Sequence, residues 1–425
     1  MGGRARDHSA DRTGWRGPGD GGGVPPAQTA ASPRRTRPDG AASHHLLLGA
    51  TITLVVVGQV MILSASSVES IAAGDGPYGT ALGQLRYAAV GLVVLGVASR
   101  VPARLYRRWA APAMVLALVL LLLVFTPLGL SQGERRSWIA LGPLSGQPSE
   151  VLKPALALWL GRVLADRQAD VRDWRVAAFP ALPGAAVGIG LTALGHDVGT
   201  SLVLATLTAG ALFVAGAPLR LFAVAGGGAV LAFIGMALAA PRRVQRITDW
   251  LGGDCDPLGS CYQTTQGLRA LASGGWIGLG LGQSRQKWLY LPEAENDFIF
   301  AIIGEELGLA GTLLVLALLG VLAYAMLRVL ARHTDPFARI VTGGVLAWIV
   351  AQALVNIGTV VGLAPVIGVP LPLVSAGGSA LVTTLGALGV VLSFARTEPG
   401  VPEALARRGS VLRRSVAVLG RAGRR

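Results

Sequence analysis

The chain is predicted to fold as an all-α polytopic membrane protein, and three observations support this prediction. Of its 425 residues 52% are hydrophobic, only 14% are charged, and the mean hydropathy is +0.56. Apolar runs close to the ~20 residues that a helix needs to cross a bilayer recur along the sequence. Arginines concentrate in the tails and in short loops between these runs, which is the positive-inside pattern. The net charge of +14 therefore reflects topology and does not indicate a nucleic-acid partner.

Ten apolar segments are predicted to be transmembrane helices. They cover residues 45–65, 83–100, 109–128, 148–165, 176–194, 199–216, 220–240, 298–327, 338–363 and 376–395. Because both tails are rich in arginine, an even number of spans with both termini in the cytoplasm agrees with the charge pattern. This topology places a long outer loop, residues 241–297, between helices 7 and 8.

The segments outside the spans define three regions. Residues 1–43 are rich in Gly, Pro and Arg and lack an apolar core, which predicts a disordered cytoplasmic tail and not a signal peptide. Residues 44–396 form the predicted membrane domain. Residues 397–425 form an Arg-rich cytoplasmic tail, for which a solvated chain is favoured over an amphipathic helix on anionic lipid.

Two predicted outer loops break the positive-inside pattern. Loop 129–147 carries Arg135 and Arg136. The cations of loop 241–297 are Arg242, Arg243, Arg246, Arg269, Arg285 and Lys287. Because a guanidinium can donate two parallel hydrogen bonds to a phosphate, these loops favour binding of an anionic lipid headgroup over incidental surface charge.

The only two cysteines, Cys255 and Cys261, lie close together in the same outer loop. An outer face is an oxidising environment, so a short-loop disulfide is predicted. Two thiols without a nearby histidine do not favour a metal site.

Five segments carry a resemblance to a known family. They read RSWIALGPLSGQPSEVLKPALALWL, GHDVGTSLVL, RRVQRITDWL, CYQTTQGLRALASGGWIGLGLGQSRQKWLYLPEAENDFIFAIIGEELG and NIGTVVGLAPVIGVPLPLVSAGGSALV. Over roughly residues 45–396 the chain resembles the SEDS family (shape, elongation, division and sporulation), most closely its division type. It departs from the usual family pattern at His196, at Glu295 with Asn296, and at Ala376, where Pro, His-Thr and Tyr are common.

The resemblance implies a ten-helix glycosyltransferase that polymerises lipid II into peptidoglycan strands on the outer face of the cytoplasmic membrane. It implies a class B penicillin-binding transpeptidase and other divisome proteins as partners at the division septum, with membrane lipids around the helices. The nearest alternative is an elongation-type polymerase. Two other classes are a lipid II flippase, which makes no bond, and a scaffold that only recruits the transpeptidase.

The implied reaction joins a sugar hydroxyl to an anomeric carbon that carries a lipid pyrophosphate. An α-linked donor and a β-linked product imply one inverting displacement, which needs a general base and a cationic clamp for the leaving group. Asp297 matches the loop Asp of the family and is the candidate base, with capping of the following helix as the alternative. Glu293 either tunes this base or pairs with a cation. Glu305 and Glu306 are expected in an internal ion pair.

The proposed pyrophosphate contacts are Lys153, Arg135, Arg136, Arg243 and Arg246. The other predicted substrate contacts are Lys287, Gln147, Ser149, Trp138, Ser375 and Ser379, where capping by Gln147 or Ser149 and interfacial anchoring by Trp138 are the alternatives.

Asp197 is expected either to cap the next helix or to contact the substrate or a divalent cation, with His196 beside it as a weak additional ligand. Mg²⁺ or Mn²⁺ is the expected cofactor, because Mg²⁺ needs few protein ligands when phosphates supply the rest.

Overall fold

The computed structural model describes residues 42–132, 135–141, 144–168, 170–179, 181–238, 248, 250, 256, 259, 261–398 and 401. The helices are α1 (Ala42–Ala65), α2 (Ser67–Ala72), α3 (Gly79–Ala98), α4 (Ala103–Leu123), α5 (Pro148–Ala165), α6 (Trp174–Ala178), α7 (Ala181–Leu194), α8 (Val198–Ala215), α9 (Leu219–Leu238), α10 (Tyr262–Gly274), α11 (Ile299–Arg332), α12 (Pro336–Val360) and α13 (Gly378–Arg396). The predicted tails lie largely outside these ranges, and α1 begins two residues before the expected end of the N-terminal tail.

Eight helical segments in the described part of the chain are long and apolar enough to cross a membrane. The prediction of a mainly helical integral membrane protein is therefore confirmed. Two of the ten predicted spans are not among the eight. Helix α5 carries three ionisable residues, Glu150, Lys153 and Arg162, and the apolar helical stretch within α9 covers only Leu219–Gly228. The count of ten stays a prediction.

One departure from the all-α prediction lies between α4 and α5. Strands β1 (Gly129–Gln132), β2 (Arg135–Leu141) and β3 (Leu144–Gly146) form an antiparallel sheet in the order β1-β2-β3. Along β2, Ser137 and Ile139 are buried while Trp138 and Ala140 are only half-buried. This alternation has the period of two that a half-buried strand requires, and the long apolar helices on either side obscure it in the sequence.

Helix α5 lies at the centre of the bundle and packs against α4, α8 and α12. Its residues Leu152, Leu156 and Leu160 are fully buried. A Cβ atom added to Gly161 would lie 2.4 Å from the Val341 side chain of α12. Small residues at such crossings let membrane helices approach closely, which is the main source of their packing energy.

Helix α11 is interrupted at Gly308, whose φ of 66° and ψ of −162° are not helical. The segment after α10 satisfies the backbone groups that this break releases. Leu309 donates to the carbonyl of Gly275 (2.9 Å), and Ala310 donates to the carbonyl of Trp276 (3.2 Å). A kink inside a membrane protein is stable only when such groups find partners, so the loop and the kink depend on each other.

Two buried carboxylates just before this kink hold the same loop. Glu305 accepts a hydrogen bond from the Ser284 hydroxyl (2.5 Å), and Glu306 accepts one from the Ser64 hydroxyl of α1 (2.7 Å). The Lys287 ammonium lies 3.5 Å from Glu306 and donates to the carbonyl of Gly282 (2.7 Å). Glu306 is thus in the expected ion pair, whereas Glu305 is held by hydrogen bonds.

Replacing Lys287 with Ala is expected to destabilise the folded protein by about 3–5 kcal/mol, because it leaves the Glu306 carboxylate buried without its cation. The matched control is Arg285→Ala, which removes an exposed cation two residues away and is expected to change stability by no more than about 0.5 kcal/mol. Reversible unfolding of the purified protein in detergent measures both. Equal stability of the two variants would show that the buried pair contributes nothing.

Candidate functional site

The candidate base Asp297 lies on a segment whose backbone is fixed from two sides. The side-chain amide of Asn356 donates to the carbonyl of Asp297 (2.7 Å) and to that of Val369 (2.8 Å). The Ser375 hydroxyl donates to the carbonyl of Asn296 (2.6 Å). These bonds use polar side chains from α12 and from the 364–376 loop, so the position of Asp297 is set by the membrane bundle.

Asp297 lies just before the N-terminus of the following helix, where capping is the alternative to a catalytic role. Helix α11 begins at Ile299, its N-cap position is Phe298, and the Phe298 side chain makes no capping hydrogen bond. The Asp297 side chain is half-buried, one residue before the cap position. A carboxylate in this place has the oxygen acceptors that a general base requires.

Asp197 is a buried helix cap joined to a second predicted residue. One carboxylate oxygen accepts the backbone N–H of Thr200 at the start of α8 (3.1 Å), and the other accepts the Gln147 side-chain amide (2.6 Å). Only 3% of Asp197 is exposed, whereas His196 beside it is exposed and has a left-handed φ of 62°. The capping alternative therefore describes Asp197, and Gln147 is bound to it.

Strand β2 docks on the turn that carries Asp197. The backbone N–H of Arg136 donates to the carbonyl of Gly195 (3.0 Å), and its guanidinium donates to the carbonyl of Thr126 (2.8 Å). Trp138 lies two residues further along the strand and pairs with Leu130 of β1. The backbone of Arg135 lies on the same strand, and its side chain is outside the described part of the structure. The sheet thus joins the backbone of Arg136 to the turn that precedes Asp197, while the Arg136 guanidinium bonds to Thr126.

Lys153 is at the centre of a buried polar network. Its ammonium lies 2.7 Å from the Glu150 carboxylate, 3.4 Å from the Gln352 side-chain oxygen and 4.9 Å from the centre of the Trp348 ring. Trp348 donates to the same Gln352 oxygen (2.7 Å), and the Gln352 amide donates to the carbonyl of Pro370 (2.9 Å). The charge of Lys153 is therefore compensated inside the protein.

The segment 367–370 contacts both α8 and the polar side chains of α12. Gln352 binds the carbonyl of Pro370, and Asn356 binds that of Val369. A Cβ atom added to Gly199 of α8 would lie 2.5 Å from the Val369 side chain, so α8 packs directly on this segment. A crevice beside it is lined by Gln352, Pro370, Leu371, Ser375, Ala380 and Thr384.

Several polar atoms are buried without a hydrogen-bond partner among the described residues, and four of them belong to residues of the predicted outer-face segments. These four are Arg136 Nε, Ser149 Oγ, Asn356 Oδ1 and Glu295 Oε2. Buried polar atoms are nearly always paired in native proteins, and an unpaired group calls for a bound molecule or another function. Arg136 Nε is a donor and the Ser149 hydroxyl can donate, so these two suit an anion.

The remaining predicted contacts are more dispersed. The Lys287 ammonium is paired with Glu306, and the Ser375 hydroxyl donates to the backbone carbonyl of Asn296. Glu293 is exposed and accepts a hydrogen bond from the Asn296 side chain (2.6 Å), while Ser379 is half-buried in the first turn of α13. Arg243, Arg246 and Cys255 lie outside the described residues, so the disulfide of Cys255 with Cys261 stays a prediction.

Sequence reasoning missed Gln352 and Asn356, which connect the site. They lie four residues apart on α12, between apolar neighbours, and both are buried. Polar side chains within a membrane span are costly and are usually kept for a function. This spacing on one helix face was the signal that could have identified them.

The divalent cation expected at Asp197 stays a prediction. Both carboxylate oxygens of Asp197 already accept hydrogen bonds. No group of three or more His, Cys, Asp or Glu side chains suited to a metal is present among the residues that the structure describes. A protein-held site needs more oxygen or nitrogen ligands than this turn supplies.

Burial, and to a lesser degree the neighbouring carboxylates of Glu69 and Glu293, raises the pKa of the Glu295 carboxyl from 4.5 to about 7. The side chain is only 7% exposed. Its backbone carbonyl accepts the N–H of Ala376 (2.9 Å), which holds it two residues before Asp297. Near neutral pH this carboxyl changes between its neutral and charged forms beside the candidate base.

Comparison with known proteins gives a consistent assignment. Residues 44–399 match the family model of the FtsW/RodA/SpoVE cell cycle proteins. A probable peptidoglycan glycosyltransferase FtsW from Mycobacterium bovis is 39% identical over 365 residues, covering 85% of this chain and 70% of that protein. The stage V sporulation protein E of Bacillus subtilis is 38% identical over 364 residues, covering 85% and 98%.

Solved structures agree with the sequence comparison. A chain from a peptidoglycan synthase complex, studied for its coordination of polymerization and crosslinking, superposes with a TM-score of 0.67 at 28% identity, covering 82% of this chain and 96% of that one. The rod shape determining protein RodA of Thermus thermophilus superposes with a TM-score of 0.62 at 26% identity, covering 83% and 96%.

The folded protein is expected to lose stability as pH rises from about 4.5 to 7, because the folded state binds the Glu295 proton more tightly than the unfolded state does. The loss is on the order of 3 kcal/mol and is complete above pH 7. Glu295→Gln is expected to flatten this dependence, whereas Asp75→Asn, which neutralises an exposed carboxylate between α2 and α3, is expected to keep it. Unfolding followed against pH in detergent measures the slope. An unchanged slope in Glu295→Gln would contradict the assignment.

Proposed function

The chain belongs to the FtsW/RodA/SpoVE cell cycle protein family, and from this membership we propose that it is a peptidoglycan glycosyltransferase that polymerises lipid II during cell division. The 39% identity to the FtsW relative and the 38% identity to the sporulation relative favour a division-type role over an elongation-type one. The polymerase acts on the outer face of the cytoplasmic membrane at the septum.

The observation that carries this proposal is the grouping of the candidate base with unpaired anion-binding donors at one end of the bundle. Asp297 is held by Asn356, which also holds the segment that packs on α8. Arg136 Nε and Ser149 Oγ are buried and without hydrogen-bond partners among the described residues, and the backbone N–H of Arg136 bonds to Gly195 in the turn before α8. A base and an anion clamp are the two groups that an inverting glycosyl transfer from a lipid pyrophosphate requires.

Asp297 takes the proton of the acceptor sugar hydroxyl as that oxygen attacks the anomeric carbon of the donor. The new carbon–oxygen bond forms on the face opposite the leaving group, and the bond from the anomeric carbon to the pyrophosphate oxygen breaks. The pyrophosphate leaves with the bonding electrons, so the anomeric configuration inverts and no covalent enzyme intermediate forms. Pinning of the Asp297 backbone reduces the reorganisation needed in this step.

The leaving pyrophosphate gains negative charge, which Arg136 and Ser149 stabilise by donating hydrogen bonds. Lys153 adds positive potential and holds the bundle through Glu150 and Gln352. Arg135, Arg243 and Arg246 complete the cationic set. The sugar is contacted by Trp138, with Gln147 and Asp197 orienting polar groups from the turn before α8.

A divalent cation, Mg²⁺ or Mn²⁺, would enter with the substrate, and phosphate oxygens would then supply most of its ligands. We assign no step of the transfer to the ion.

The finer topology belongs to the same proposal. Ten spans place both termini in the cytoplasm, with residues 241–297 as the outer loop before α11. A class B penicillin-binding transpeptidase crosslinks the strands, as the similarity to a chain from a peptidoglycan synthase complex supports. Other divisome proteins bind this assembly at the septum.

The structure favours this function over lipid II transport. A flippase needs polar groups along a path through the bilayer. The buried residues of α5 after Lys153 are instead apolar, from Ala155 to Leu164. The polar network therefore ends about one turn into this central helix, as expected for chemistry at the membrane surface.

Purified protein with its transpeptidase partner is expected to convert lipid II into glycan chains, and Asp297→Asn is expected to abolish them because the amide cannot accept the proton. The matched control Asp75→Asn neutralises an exposed carboxylate between α2 and α3 and is expected to keep wild-type activity. Gel separation of labelled chains measures the product. Chain formation by folded, partner-bound Asp297→Asn would refute Asp297 as the base. If the wild-type protein forms no glycan chains but moves lipid II between leaflets, the flippase is favoured.

Replacing Arg136 with Lys is expected to lower kcat/KM for lipid II about 10- to 100-fold, because a charge-assisted hydrogen bond from Nε contributes about 1.5–3 kcal/mol. The control Arg104→Lys makes the same change on an exposed part of α4 and is expected to leave the kinetics unchanged. Initial rates at several lipid II concentrations give both constants. Equal kcat/KM values for the two variants would remove Arg136 from the clamp.

A further inference from the structure

The loop that α11 holds carries a set of exposed apolar side chains, here called the aromatic foot, that the glycosyl transfer does not use. Its members are Trp276, Ile277, Leu281, Trp288, Leu289 and Tyr290. Their exposure ranges from 55% for Leu281 to 85% for Ile277, which is unusual for large apolar side chains. We propose that the aromatic foot inserts into the interfacial layer of the lipid bilayer and sets the depth of the site relative to the membrane.

The position of the foot along the bundle follows from α1. Ser64, the penultimate residue of α1, donates its hydroxyl to Glu306 (2.7 Å). Glu306 therefore lies at the level where α1 ends. Below the Gly308 break, α11 continues from Leu309 to Arg332, about 36 Å at 1.5 Å per residue. This length alone crosses the ~30 Å hydrocarbon core, so Gly308 and the foot lie at its boundary.

The foot also continues the lipid-facing surface of α11. Hydrogen bonds from Leu309 to Gly275 and from Ala310 to Trp276 fix the start of the loop against the first turn after the kink. Leu309 is exposed in this first turn, and Leu313 and Leu316 are exposed further along α11. A row of exposed leucines on a membrane-spanning helix contacts lipid, and the foot extends this row at its upper end.

The composition of the foot suits the bilayer interface better than a protein surface. Trp and Tyr have an apolar ring and a polar edge and concentrate where headgroups meet hydrocarbon. Arg285 lies within the same loop and is exposed, where it can meet lipid phosphate. A loop with two Trp, one Tyr and one Arg beside three aliphatic side chains thus carries both halves of an interfacial anchor.

Hydrogen bonds to Glu305 and Glu306 of α11 hold the loop in place, as a depth stop requires. Gly278, Gly280 and Gly282 have positive φ values of 81°, 104° and 78°, and Leu289 has a positive φ of 63°. A left-handed Leu is strained by about 1–3 kcal/mol and persists only when its surroundings impose it. The Leu289 side chain is 63% exposed, while Glu305 and Glu306 bind the loop to α11.

The test uses the full-length protein labelled with fluorotryptophan in nanodiscs, without its partner. Trp276→Phe and Trp288→Phe assign the two fluorine signals by their disappearance. A phospholipid with a spin label near the headgroup end of its acyl chain is expected to broaden both signals strongly. The signal of Trp348, which is fully buried in α12, is the internal control and is expected to change little. A soluble paramagnetic chelate is expected to affect the two foot signals only weakly.

The reverse pattern would overturn the proposal. Broadening by the soluble chelate and not by the lipid label would mean that the foot faces water in the isolated protein, as a docking surface for another protein would. If either variant fails to fold, a photoreactive phospholipid provides the second measurement. Adducts on residues 276–290 are then expected, and their absence beside adducts on the exposed leucines of α11 would refute insertion. Neither experiment depends on catalytic activity, so both stand apart from the test of the polymerase.

Discussion

The need to satisfy two adjacent buried carboxylates, Glu305 and Glu306, organises the functional end of this molecule. Neither side chain has measurable exposure, and burying an ionised group without partners costs several kcal/mol. The chain meets this cost by folding the segment after α10 over the break at Gly308. Hydroxyls, backbone amides and the Lys287 ammonium then surround the two carboxylates. The loop that carries Asp297 starts from this fixed point.

The same arrangement separates cations that stabilise the fold from donors left for a ligand. Lys153 and Lys287, the only two lysines, are both buried and both bound to a glutamate. Arg136 and Ser149 instead present buried donor atoms without partners among the described residues. A site that binds pyrophosphate needs donors that are not already paired inside the protein. A cation that already has a partner binds an incoming anion less strongly.

The sequence predicted a mainly helical membrane protein, because length and hydropathy determine the spans, and the family resemblance made Asp297 and Asp197 the candidate acids. It did not predict the β2 strand, whose short alternation lies between long apolar runs, or the bonds from Gln352 and Asn356 to the 367–370 segment. Those bonds join residues far apart in the chain, and a single sequence carries no signal for such pairs. It also assigned Lys287 to the substrate, since charge alone cannot distinguish an exposed cation from one paired with Glu306.

The central claim is that Asp297 performs chemistry and does not merely hold the substrate. The most direct test measures lipid II binding and single-turnover transfer on the same Asp297→Asn preparation in nanodiscs. We expect the dissociation constant to stay within a few-fold of wild type while the rate of glycosidic bond formation at saturating lipid II falls below detection. A variant that forms the bond at the wild-type rate, or one that loses binding and recovers the full rate at saturation, would contradict the account.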